Sequence, residues 1–230
     1  MNILALDSSQ EVLSAALAAG DDLWYSEIDA GLRHSELMME CVDGLFKTAG
    51  LSPKDLNLVA CMKGPGSFTG LRIAYAAAKG LAMALDIALK AQPTLDCIAH
   101  PLSFWPGIVL AAIDAKQGRF FAALYRKGKL LCPYMDDGPE ALADELGRAR
   151  INSDEQIILT GPGAALLQSR LRDFSPENPR PDNILLDPQY GRGRARELLE
   201  ITKCDIIEGA NDLYSGPVYL RKSDAELNRR

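Results

Sequence analysis

A chain of 230 residues, 47% hydrophobic and 24% charged, has the make-up of a globular protein of one large or two small domains, able to bury about 70–75% of its unfolded surface. Its formal net charge of −6 gives the whole molecule no attraction for a phosphate backbone, so contact with nucleic acid has to come through a local patch or a partner. Five cysteines without a CxxC spacing read as reduced thiols, and MNILALDSS lacks the basic and long apolar regions of a leader, so a cytoplasmic protein without a membrane span is expected.

Three short apolar runs open the chain, at 2–6, 12–18 and 23–28, with Gly20-Asp21-Asp22 as the turn before the third. A helical pattern covers 33–49, a strand 58–62 and a second helix 71–85. That second helix is launched by KGPGSFTG, in which Gly64, Gly66 and Gly70 surround Ser67 and Thr69. Such a turn either reverses the chain tightly, capped by Ser67 or Thr69, or cradles a phosphate. GPGSFTGLR does not complete GxxxxGK[ST], which favours the structural turn. Pro93, Pro101 and Pro106 punctuate the next segment. Strands are then predicted at 108–113, 120–125 and 130–134, a helix at 139–149, a strand at 156–159 and a helix at 164–174. Pro176, Pro179, Pro181 and Pro188 mark a second irregular stretch.

The order of elements is βββαβα, twice. ILALDSSQEVLSAAL (3–17) aligns without a gap on LAAIDAKQGRFFAAL (110–124), matching Asp7 with Asp114 and Gln10 with Gln117. A two-lobed α/β protein is expected, its first lobe at 1–104 and its second at 105–230, with the last residues packing back on the first. An aspartate ending the first strand of each lobe has two readings. It caps its own hairpin turn, or the pair holds a divalent ion on nucleotide phosphates with help from the Ser8-Ser9 and Lys116-Gln117-Gly118 turns.

Other signals are weaker. Arg192, Arg194 and Arg196, with Arg221, Lys222, Arg229 and Arg230, form either a basic strip for nucleic acid or, the favoured reading, a solvated helix face and tail. His34, before SEL at a helix start, reads as a capping or surface residue rather than a proton-transfer group. Ser67 and Ser103 have no evident histidine partner, which leaves a peptidase unsupported.

The repeated unit around two turn-borne aspartates resembles the actin-like ATPase (ASKHA, ribonuclease H-like) superfamily. ILTGPGAALL (158–167) stands where that superfamily packs a glycine-rich motif against adenosine, with Pro162 replacing one of the usual adjacent glycines. The resemblance implies a vestigial nucleotide site at Asp7, Ser8, Ser9, Asp114, Gly118, Gly161 and Gly163, with ATP or ADP and Mg at the lobe cleft or the partner interface as the alternative to no cofactor.

LALDSS, GPGSFTGLRIA, LAAIDAKQG and GPVYLRKSDAE together are similar to the TsaB (YeaZ) family, over essentially the whole chain except 173–209. That resemblance implies a non-catalytic partner of TsaD in forming the threonylcarbamoyl group on the adenosine next to the anticodon, in tRNAs reading codons that begin with adenine. It also implies TsaE and tRNA as partners through the complex, and a homodimer when TsaD is absent. TsaD carries an HxxxH metal pair; here Thr94 and Ile98 stand in its place and His34 and His100 are the only histidines, which points to TsaB rather than TsaD. AYAAAKGLAMA (74–84) is rich in small residues on every face, as a closely approached helix would be. The resemblance places the partner interface on Met38, Met39, Val42, Arg72, Tyr75, Ala77, Ala78 and Leu81. An independent actin-like ATPase or kinase using Asp7 and Asp114 is the alternative.

Overall fold

The computed structural model describes residues 1–174, 183–205 and 211–220. It divides the chain into two units, one comprising Met1–Cys97 with Gly193–Tyr219 and the other built on Ile98–Arg192. The division thus falls at Cys97/Ile98 rather than after residue 104, and a late segment joins the first unit.

The first unit is a five-stranded sheet in the order β3-β2-β1-β4-β5, made of β1 (Asn2–Asp7), β2 (Val12–Ala19), β3 (Asp22–Asp29), β4 (Leu58–Gly64) and β5 (Ala88–Pro93). The first three strands run antiparallel, while β4 and β5 run parallel to β1. Central β1 is buried on both faces, as its unbroken apolar run demands. Leu4 and Leu6 lie in one core with α1 (His34–Ala49) and α2 (Phe68–Leu85), while Ile3 and Ala5 lie in another with Ala195, Leu198 and Leu199 of α6 (Ala195–Cys204). Each fully buried Ile or Leu contributes about 1.5–3 kcal/mol. Alanines at the crossing points, such as Ala5 opposite Ala16 and Ala60, let the layers approach closely. Gly50, left-handed at φ 67°, ends α1 by donating its N–H to the Lys47 and Phe46 carbonyls.

The two edges of this sheet are finished differently. Along β5, a strap at 211–220 takes up the free groups: Asp212 N donates to Leu89 O (2.8 Å), and Leu89 N and Ala91 N donate to the side chains of Asn211 and Asp212 (3.1 and 3.0 Å). At the opposite edge, β3 pairs with β2 alone among the described residues.

The second unit repeats the plan in a six-stranded sheet, β11-β10-β6-β7-β8 with β9 also on β7. Its elements are α3 (Thr94–Ala99) at the junction, β6 (Ile108–Asp114), β7 (Phe120–Arg126), β8 (Lys129–Leu130), β9 (Met135–Asp137), α4 (Pro139–Ala149), β10 (Ile157–Thr160), α5 (Ala164–Phe174) and β11 (Ile184–Leu186). Leu142, Leu146, Leu167 and Leu171 bring α4 and α5 onto one face of the sheet. Of the strand predicted at 130–134 only Leu130 lies in a strand, at the end of β8, and β9 begins after it at Met135; Pro133 offers no N–H to continue the ladder. Five elements escape the sequence reading: β5, α3, β9, β11 and α6. Arg221, Lys222, Arg229, Arg230, Pro176, Pro179 and Pro181 lie outside the described residues.

Candidate functional site

Asp7 ends β1 fully buried, with both carboxylate oxygens engaged. Oδ1 accepts from Ser9 N (2.9 Å) and Ser9 Oγ (2.6 Å), and Oδ2 accepts from Arg194 N (3.1 Å) at the start of α6. Burial raises the Asp7 pKa above the ordinary carboxylate value, against the downward pull of these bonds and of the Arg194 charge. The turn after it is sealed from the other side by GPGSFTG. Ser8 Oγ donates to Gly70 O (2.7 Å) and Ser67 N to Ser9 O (2.8 Å). A Cβ at Gly70 would sit 1.8 Å from Ser8 O and one at Gly66 2.6 Å from Ser9 O, so both glycines are required by backbone contact rather than by a ligand. Asp7, Ser8 and Ser9 are therefore brought together, but as a packing joint between β1, α2 and α6.

In the second unit, Asp114 ends β6 partly exposed, accepting from Lys116 N (2.8 Å) and from Lys116 Nζ (2.9 Å). Lys116, Gln117 and Gly118 follow at φ 62°, 55° and 74°, a left-handed run that two non-glycine residues rarely adopt. Gly163 N donates to Ala112 O (3.0 Å), and Cβ atoms at Gly161 and Gly163 would fall 2.5 Å from Ala112 O and 2.7 Å from Asp114 N. The Gly161-Pro162-Gly163 turn is thus pressed against the backbone bearing Asp114. This gathers Asp114, Gly161 and Gly163, and Asp114 keeps the exposure that Asp7 lacks.

Ser67 Oγ caps α2, accepting from Gly70 N (3.2 Å). The helix turns Leu71, Ala74, Tyr75, Ala78 and Ala82 into its own core. Of the residues expected to form a partner interface, Met38, Val42, Tyr75 and Ala78 are core residues, a correction that follows from the width of the stripe needed to cover a five-stranded sheet. Burial pushes the Tyr75 phenol up to about 12, and its oxygen is bonded to Ser215 Oγ (2.8 Å). Met39 and Arg72 are exposed, Ala77 and Leu81 half-buried. The outward stripe of α2 is Arg72, Ile73, Ala76, Ala77, Gly80, Met83 and Ala84, at helical spacing and free of charge beyond its first turn. Ile73, Ala76, Gly80, Met83 and Ala84 are not among the residues expected from the sequence; their spacing carries the signal once the inner face is known. Lys79, the other cation of α2, is held by the strap through Ser215 O (2.5 Å), and Arg72 lies 3.8 Å over the Phe68 ring with Nε donating to Tyr219 Oη (3.1 Å).

Arg194 is buried at 3% exposure, so it belongs to no surface strip; Arg192 and Arg196 are exposed. His34 begins α1 with Nε2 2.8 Å from Gln10 O, tying the helix to the first hairpin. All five cysteines are free, with Cys41, Cys61 and Cys97 buried. No helix among the described residues is long and apolar enough to cross a membrane.

Two βββαβα units, each ending its first strand in an aspartate turn, define a protein of the actin-like ATPase fold class. The family described as "TsaD: tRNA N6-adenosine threonylcarbamoyltransferase" matches residues 28–160. The chain is 35% identical over 231 residues to the tRNA threonylcarbamoyladenosine biosynthesis protein TsaB of Escherichia coli (strain K12), covering 98% of this chain and 96% of that one. With the TsaB protein of Bacillus subtilis (strain 168) it shares 31% identity over 197 residues, covering 80% and 85%. The solved structure titled "YeaZ from Pseudomonas aeruginosa" superimposes with a TM-score of 0.78 at 25% identity, over 95% of this chain and 99% of that one. The chain belongs to the TsaB (YeaZ) family.

Proposed function

We propose that this chain serves threonylcarbamoyladenosine formation in tRNA as the non-catalytic partner of TsaD, docking through α2. The observation carrying this reading is the outward stripe of α2. Small and apolar side chains, Ala76, Ala77, Gly80 and Ala84 flanked by Ile73 and Met83, let a second helix approach closely, and no charged group on that stripe past Arg72 resists desolvation. Met39 of α1 supplies an adaptable neighbour. In the absence of TsaD the same stripe serves a self-complementary homodimer, and TsaE and tRNA are reached through the complex. The test is a Gly80→Arg variant, since a side chain there meets open space and leaves the core alone. Mixed with TsaD, the parent forms a 1:1 complex and the variant does not, while its melting curve stays that of a folded protein. An intact complex removes the interface. Depletion of the protein in its host should lower threonylcarbamoyladenosine in bulk tRNA, measured by mass spectrometry; an unchanged level removes the function.

The alternative, an independent actin-like ATPase or kinase, draws its support from the partly exposed Asp114 beside Gly161 and Gly163. In that reading Asp114 and the Gly118 turn face the phosphates and Mg, and Asp7 stays a fold residue. Calorimetry with Mg-ATP on the isolated chain decides it: heat that Asp114→Asn abolishes supports it, and no heat from the parent excludes it.

A further inference from the structure

We propose that the groove between β3 and α1 receives an extended segment of another protein as an added strand on β3, one whose apolar side chains alternate with Lys or Arg. Sheet geometry supplies the first reason. The β5 edge is closed by the 211–220 strap, whereas among the described residues β3 is the outermost strand of the sheet, with a ladder to β2, so an extended chain can add to that edge.

The second reason is a groove of about 470 Å³ lined by residues of β3 and α1. Its walls are Trp24 and Ile28 from β3 and Leu45 and Thr48 from α1, with Gly44 between them and Glu40 at the helix side. Trp24, Ser26 and Ile28 share one face of β3 by strand alternation, and with Cys41 of α1 they line the groove. Side chains of an added strand on that same face would enter the groove, which fits apolar residues at alternate positions.

Gly44 is the third reason. It lies inside a 16-residue helix without a positive φ, and a Cβ built on it meets nothing within 4 Å. Neither backbone conformation nor crowding requires a glycine there, and it weakens the helix. What it does is leave the groove open. The charge of the occupant follows from the rim. Glu40 is the charged lining residue, no cation lines the groove, and Asp22 and Asp29 stand exposed at the two ends of β3. Lys47, on the same helix, is paired with Asp43 (2.6 Å). By helical spacing Met39 and Asp43 lie on the opposite flank of α1, so this surface is separate from the α2 stripe and its occupation does not depend on the docking proposed above.

The test uses the full chain, nitrogen-labelled, and two synthetic peptides, acetyl-Lys-Val-Lys-Val-Lys-Val-amide and its Glu-for-Lys counterpart. The Lys peptide should shift amide resonances of 22–29 and 40–48 saturably, and the Glu peptide should not. Gly44→Gln, which fills the groove without lowering the melting temperature, should weaken binding about tenfold or more, as should Glu40→Lys. The proposal is overturned by the absence of shifts, by shifts spread over other surfaces, by equal binding of the Glu peptide, or by indifference to Gly44→Gln. Concentration-dependent shifts of the same resonances without peptide would give the groove to a second copy of the chain and would overturn it equally.

Discussion

Replacing Gly70 and Gly80 by alanine, one at a time in the same helix, should move stability in opposite directions. At Gly70 the new Cβ would lie 1.8 Å from Ser8 O, about 1.2 Å inside the 3.0 Å approach that real Cβ atoms respect, and its neighbour is backbone that cannot rotate away. The hairpin turn and α2 must part, which strains or breaks two buried bonds, Ser8 Oγ to Gly70 O and Ser67 N to Ser9 O. Leaving such groups unpaired costs about 1–3 kcal/mol each, and with residual overpacking the loss comes to about 3–5 kcal/mol. For a chain of this size that is a fall of roughly 6–20 °C in the melting temperature of the first unit. At Gly80 the methyl group meets open space, and Gly80→Ala should gain about 0.5–1 kcal/mol from helix propensity. Urea unfolding followed by far-ultraviolet dichroism measures both. Were the turn a phosphate cradle, Gly70→Ala would lose ligand affinity and little stability. A Gly70→Ala variant within about 1 kcal/mol of the parent would refute the packing argument.

Asp7 carries a pH signature. Its folded pKa is raised above 3.8, chiefly by burial, so the folded state binds the proton more tightly than the unfolded chain. The stability this contributes is fully present below about pH 3.8 and is lost as the pH rises through the folded value. Asp7→Asn cannot ionise, so its stability relative to the parent should improve with rising pH over that window and stay level below it; unfolding curves in which the parent instead gains on the variant would contradict the shift. In the second unit, Arg126 Nη2 donates to both Glu155 oxygens (2.8 and 3.0 Å), and Ile151 N donates to Oε2 (2.8 Å), with the Glu155 side chain only 9% exposed. Glu155→Gln should cost about 2–3 kcal/mol in urea unfolding; a loss under about 0.5 kcal/mol would show the cluster to be idle.

A strand that buries both faces was legible in the sequence, because burial writes itself into the residues, as in the 3–6 run of β1; α2 was legible as a helix, but its small residues on every face hid which stripe is inner, so that Tyr75 and Ala78 of the core read as interface. Elements set by tertiary context were not legible. β11 is three residues in a proline-rich stretch and exists because β10 offers it a parallel edge. α6 does carry Ala195, Leu198, Leu199 and Thr202 at helical spacing, but the arginines at 192, 194 and 196 give the stretch a charged pattern, and the burial of Arg194 depends on the Asp7 turn, 187 residues away in the chain.

The aspartate turns show the same limit at the site. Duplication places Asp7 and Asp114 at equivalent strand ends, and no pattern within either repeat separates them. Their environments differ because only the first unit brings a helix start, α6, onto its aspartate; Asp114 answers to its own Lys116. One copy has become a joint of the fold while the other keeps an outward-facing carboxylate, so a mutation at each reports on a different property. Loss of Asp7 is read in stability, while Asp114, held by its own turn and partly exposed, is the carboxylate whose loss the Mg-ATP calorimetry compares with the parent.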